Sequence, residues 1–180
     1  RKLERLSMID GLTGIANRRG FDQHLREEWA RMALERRPLA LLLADADAFK
    51  PLNDALGHLH GDECLRELAR ICERFATGDR DLVARFGGEE LVLLLPGLEC
   101  ADALEVAEGL RAAVVAVAMP HPTSPVASVV TISIGVAAVR PSLDRPPEIL
   151  VAAADRALYA AKQRGRNQVC TNEDAQTRKT

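Results

Sequence analysis

The stretch ARFGGEELVLLLP, residues 84–96, places two glycines and two glutamates directly ahead of an almost unbroken apolar run. DLVARF (81–86) and ELVLLLP (90–96) both read as strands, and Gly87-Gly88-Glu89 between them predicts a hairpin. The glycines suit a tight turn that asks for φ > 0, and small residues let a ligand approach the backbone. Two carboxylates on such a turn, beside a strand built for burial, invite a chemical explanation.

Working outward, LALLLAD (39–45) is a continuous apolar run ending in a carboxylate, which predicts a buried strand. SVVTISIGVAAV (128–139) sets Ile132, Ile134 and Val136 against Thr131 and Ser133, which predicts a strand with one buried face. GRNQVC (165–170) reads as a short terminal strand. Apolar residues at helical spacing predict helices over 21–37 (Phe21, Leu25, Trp29, Met32), 61–75 (Leu65, Leu68, Cys72, Phe75), 101–117 (Leu104, Ala107, Leu110, Val114) and 148–164. Asp62 and Glu63 suit the start of the second of these. MPHPTSP (119–125), with three prolines, must be a loop, and DGLTGIANRRGFD (10–22) reads as a structured one. The economical assembly is α+β: five strands in a central, mostly antiparallel sheet surrounded by helices.

The 180 residues fit one domain, 47% of them apolar, enough for a substantial core. With four Phe, one Trp and one Tyr, that core is built from Leu, Val, Ile and Ala. A net charge of −2 gives no support to nucleic-acid binding, which uses a basic face. Cys64, Cys72, Cys100 and Cys170 lack metal-type spacing and read as reduced, buried thiols, which a cytoplasmic setting suits. The opening RKLERLSMID reads as the end of a helix (1–9) connecting to an upstream region. A main domain over 10–172 and a polar tail over 173–180 follow.

Three groups of residues carry chemistry. Asp45 and Asp47 leave the end of a predicted strand and, beside Glu89 and Glu90, can share a divalent cation; oxygen ligands suit magnesium. Ordinary solvated acids on a turn are the alternative. Asn53 and Asp62 flank a polar loop, and an amide with a carboxylate matches a guanine edge; taken alone, Asp62 as a helix N-cap is the stronger reading. Arg85, Lys162 and Arg166 can clamp a triphosphate, or belong to solvated helix ends.

Taken together, these segments resemble the GGDEF-domain family of diguanylate cyclases. The resemblance runs through DGLTG (10–14), NRR (17–19), DADAFKPLND (45–54), GHLHGDE (57–63), RFGGEEL (85–91), TISIGVA (131–137) and DRALYAAKQRGRN (155–167). It implies a nucleotidyl-cyclase or polymerase-palm type of fold and condensation of two GTP into cyclic di-GMP and two pyrophosphates, in signalling. It implies magnesium or manganese on Asp45, Glu89 and the Ala46 carbonyl, and Glu89 or Glu90 as the catalytic carboxylate. Asn53 and Asp62 would read guanine, with His58 lining its pocket. Lys50, Lys162 and Arg166 match phosphate-binding positions, and Arg85 a basic position near the site. The reaction would need a second copy of the domain facing the first, under an upstream regulatory domain.

Departures from the family pattern are Leu91 in place of Phe, expected to be a packing change, and Ala46 between the acids. The product-inhibition motif Arg-x-x-Asp reads Gly78-Asp79-Arg80-Asp81, and a supporting Arg falls at Gly109. Weak or absent product inhibition is therefore expected unless Arg80 substitutes. A GTP-binding module without turnover, regulating a partner, is the alternative function.

Overall fold

The computed structural model describes residues 8–173. The elements run α1 (Arg18–Glu35), β1 (Leu39–Ala46), α2 (Phe49–Leu56), α3 (His58–Glu73), β2 (Leu82–Gly87), β3 (Glu90–Pro96), α4 (Cys100–Val117), β4 (Ile132–Val139), α5 (Glu148–Gln163) and β5 (Val169–Thr171). The strands form one five-stranded sheet in the order β2-β3-β1-β4-β5. Every pairing is antiparallel except that of β4 with β5. No helix among the described residues is long and apolar enough to cross a membrane.

Every residue of β1 is buried, as its run of apolar residues predicts for a central strand covered on both faces. Alternation divides its side chains. Ala40, Leu42, Ala44 and Ala46 join a core with α3 and α4, whereas Leu39, Leu41 and Leu43 join a second core with α1 and α5. Phe21, Leu25, Trp29 and Met32 fill the α1 side of that second core. Each such buried side chain contributes roughly 1.5–3 kcal/mol.

Several expectations need correction. α1 starts at Arg18, three residues early, because the Asn17 side chain accepts from the Gly20 amide and caps it. The polar stretch after β1 is not a loop: Phe49–Leu56 forms α2, and α3 begins at His58. Asp62 therefore lies inside α3 and is not its N-cap, a position held by Gly57. β4 is buried on both faces, with Thr131 and Ser133 inaccessible, because α5 covers the face expected to be wet. Positive φ occurs at Gly14, Gly57, Gly97 and Gly165 but not at Gly87 or Gly88, so the hairpin does not use left-handed glycine. A register shift between Arg85 and Gly87 bends β2 there instead. Of the helix expected over 1–9, residues 1–7 lie outside the described residues; Met8 is in a bend and Ile9 bridges Ala16. The expected 173–180 tail is described only at its first residue.

Cys64, Cys72 and Cys170 are buried, Cys100 is half-buried, and none forms a disulfide. Burial pushes the Cys64 thiol up to about 11 and the Cys72 thiol up to about 12. Leu91 packs into the core at 3% exposure, in keeping with a packing role.

Candidate active site

β1 and β3 end together, and their register sets Asp45 opposite Glu90. The Ala46 amide donates to the Glu89 carbonyl at 3.4 Å, which ties the hairpin to the end of β1. From α5, Lys162 reaches the Asp45 carboxylate with Nζ 3.1 Å from Oδ2. Burial is the largest influence on Asp45 and pushes its carboxyl up to about 6. Lys162 pulls it down, and the charges of Glu89 and Glu90 push it up again. Three carboxylates thus share one field at the sheet end with one ammonium against them.

That excess of negative charge fits a divalent cation, and the oxygen-only donor set of Asp45, Glu89 and the Ala46 carbonyl fits magnesium or manganese. Among the described residues no three His, Cys, Asp or Glu side chains close into a metal cage. Water and substrate phosphate would complete the shell, as is usual for magnesium.

Asp47 stands apart from this group, contrary to the expectation that it shares the cation. Its buried carboxylate accepts from Thr131 Oγ1 (2.7 Å), Ser133 Oγ (2.6 Å) and the Asn167 amide (3.0 Å). Its work is to fasten β1 to β4 and to the turn that follows α5. The alternating Thr131 and Ser133 carried this signal, but only the fold reveals their partner.

The α2–α3 corner forms the second part of the site. Asn53 Oδ1 is buried without a hydrogen-bond partner. A buried, unpaired acceptor costs about 1–3 kcal/mol, and a donor from a ligand would satisfy it. Gly61 makes the geometry possible, since a Cβ there would lie 1.8 Å from Asn53 Oδ1. Asp62 follows Gly61 half-buried on α3, and His58 is exposed at the helix start. Lys50, at the exposed edge of α2, pairs with Asp54 at 3.1 Å.

Arg85 is occupied within the chain. Its guanidinium donates to the Gly88 carbonyl at 2.8 and 2.9 Å and pairs with Asp10 at 3.3 Å. Burial raises the Asp10 carboxyl, but hydrogen bonds from Thr13 and the Arg85 charge outweigh it and hold it below the usual range. The loop at 10–13 is thereby latched to the hairpin. Arg166 is exposed, in the turn after α5, with φ of 66°.

In the region of the expected inhibitory site the loop bonds to itself. Asp81 accepts from the Gly78 amide at 2.8 Å, and a Cβ on Gly78 would meet Asp81 Oδ1 at 2.8 Å. Arg80 turns away to inaccessible Glu28 of α1, which also holds Arg31 at 2.6 Å. Gly109 faces the Phe75 ring, 3.0 Å from where a Cβ would stand.

The family model described as "Diguanylate cyclase, GGDEF domain" matches residues 7–168. The response regulator PleD of Caulobacter vibrioides is 42% identical over 166 residues, 91% of this chain and 36% of PleD. The chain spans less than half the length of PleD, of the probable diguanylate cyclase DgcC of Escherichia coli (44%) and of the diguanylate cyclase DgcP of Pseudomonas aeruginosa (24%). Among solved structures, the GGDEF domain of DgcB from Caulobacter crescentus, in complex with c-di-GMP, superposes with a TM-score of 0.84. Its identity is 30%, over 96% of this chain and 97% of that one. The active GGEEF domain of a diguanylate cyclase from Vibrio cholerae superposes with a TM-score of 0.76 at 30% identity, over 88% of this chain and 97% of that one.

Proposed function

The chain belongs to the GGDEF-domain family of diguanylate cyclases, and from that premise we propose that it joins two GTP molecules into cyclic di-GMP, releasing two pyrophosphates. The observation that carries this reading is the sheet end where Asp45 meets Glu90 in register beneath Lys162. A nucleotide triphosphate with its cation is the ligand that answers such a mixture of acids and a lysine.

Guanine enters the α2–α3 corner on this reading. Its exocyclic amine donates to Asn53 Oδ1, and Asp62 accepts from N1–H; adenine, with an acceptor at N1, would be repelled by Asp62. Lys50, Lys162 and Arg166 hold phosphate oxygens, and His58 lines the base pocket. Asp45, Glu89 and the Ala46 carbonyl would hold magnesium or manganese. When bound, the ion neutralises phosphate charge and acidifies the attacking hydroxyl. Glu89, with Glu90 beside it, takes the proton from the 3′-hydroxyl of one GTP. That oxygen bonds to the α-phosphorus of the other GTP, the bond to the β-phosphate breaks, and pyrophosphate leaves. Repeating the step closes the ring.

One domain holds one GTP, so the partner in catalysis is a second copy with its site apposed, and much of the rate enhancement is positioning. An upstream regulatory region would set that apposition, on the cytoplasmic side of any membrane. The test is GTP turnover with magnesium across a range of protein concentrations. The rate per chain should rise with concentration, and Glu89→Gln should abolish turnover with the melting curve preserved. Absence of GTP binding would overturn the reading.

A further inference from the structure

We infer that His121 is a positioning residue for the nucleotide-binding helix α2, acting through the carbonyl of Ala48. The inference deepens the GTP-binding reading and rests on it. His121 lies far along the chain, between α4 and β4, yet its ring is 1% exposed and its Nε2 donates to the Ala48 carbonyl at 2.8 Å. Nε2 carries the hydrogen in this bond, because a carbonyl oxygen can only accept.

Ala48 is the N-cap of α2, but with no side-chain cap and with φ 53°, ψ 40°, the left-handed region. For a residue with a Cβ this conformation costs roughly 1–2 kcal/mol. The Ala48 carbonyl also accepts the first hydrogen bond of α2, from the Leu52 amide at 3.2 Å. One oxygen thus takes both the helix's opening bond and the imidazole. A bond to the strained cap offsets its strain and fixes the angle at which α2 leaves β1.

The loop that delivers the ring is built for it. Pro120 bridges Val129, the His121 amide donates to the Ser128 carbonyl at 2.9 Å, and the Val130 amide donates to the Met119 carbonyl at 2.8 Å. Thr123 Oγ1 adds a bond to the Pro51 carbonyl at 3.2 Å, a second contact with the first turn of α2. α2 carries Lys50 and Asn53, one directed to phosphate and the other to base. A tilt of this helix would misplace both together, which weakens ground-state binding more than the chemical step.

The test compares His121→Leu, which removes the donor, with His121→Gln, whose side-chain amide can place a nitrogen near the same point. Two readouts are used: amide exchange at Leu52 without nucleotide, and GTP affinity by calorimetry alongside kcat. His121→Leu should speed Leu52 exchange about tenfold and weaken GTP binding about fivefold, with kcat at saturation within about twofold of the parent. His121→Gln should restore both exchange and affinity. The inference is overturned if Leu52 exchange stays unchanged while only the melting temperature falls, or if folded His121→Gln restores neither readout. Should the parent chain bind GTP without turning it over, the cyclase reading fails while exchange and affinity still decide the role of His121.

Discussion

The Asp45 carboxyl has a titration point near 6 in the folded chain, against 3.8 for the free side chain. Below pH about 4 it is protonated whether or not the chain is folded, and it leaves stability untouched. As pH rises through about 6 the folded chain must ionise a buried group, so stability is lost and stays lost at higher pH. Asp45→Asn should therefore stabilise the nucleotide-free protein at about pH 8 by about 1–3 kcal/mol, with the gain gone near about pH 4. Urea unfolding at both values checks this; the same variant should lose GTP turnover. Asp47, two residues on, is instead held by three donors, the Thr131 and Ser133 hydroxyls and the Asn167 amide. Two acids of identical sequence character thus have different work, and only their neighbours separate them.

At the scale of elements, glycines mark where backbone comes too close for a side chain. On β4, a Cβ at Gly135 would stand 2.1 Å from the Ala154 carbonyl and 2.3 Å from the Leu158 amide, both backbone atoms of α5. Gly135→Ala must push the helix off the sheet and should cost about 3 kcal/mol or more, read from chemical unfolding. Gly61→Ala should instead act locally: it drives Asn53 from its place, so GTP affinity should fall more than tenfold while the melting temperature moves by only a few degrees. Calorimetric titration beside a melting curve separates the two effects. The strands were legible from residues 39–45 and 90–96 because apolar runs of that length have few other uses. α2 was not, since Lys50, Pro51, Asn53 and Asp54 have the composition of a turn and only Leu52 of the helix is buried. The wet face expected for β4 is dry because α5 packs over it, and there the hydroxyls of Thr131 and Ser133 are satisfied by a buried carboxylate, a long-range fact that alternation does not carry. The acids at 45, 89 and 90 and the lysine at 162 were each visible as chemistry; their meeting at one sheet end depends on strand register.

For the molecule as a whole, the arrangement around Asp81 bears on control. Arg80 is drawn to Glu28, Gly78 stands in place of an arginine and Phe75 lies against Gly109, so the cations expected to receive a phosphodiester beside Asp81 are not supplied at these positions. Cyclic di-GMP should not bind there at micromolar concentration, and its addition should not slow GTP turnover beyond competition at the active site. Progress curves with added product, compared for the parent and Asp81→Asn, check this: the two should coincide. Control would then fall to whatever brings two copies together.

The Asp47 carboxylate, just past the first strand, also accepts from the Asn167 amide, 120 positions later. Such a contact forms only after a large loop has closed, and non-local closures are slow steps in folding. A chain emerging from the ribosome can complete α1, β1 and the β2–β3 hairpin while the candidate site still lacks Lys162 and the turn that follows it. On the proposed reading the fold thus withholds a complete site until residues 162–167 have been synthesised, so a chain that stops short of them should not form cyclic di-GMP.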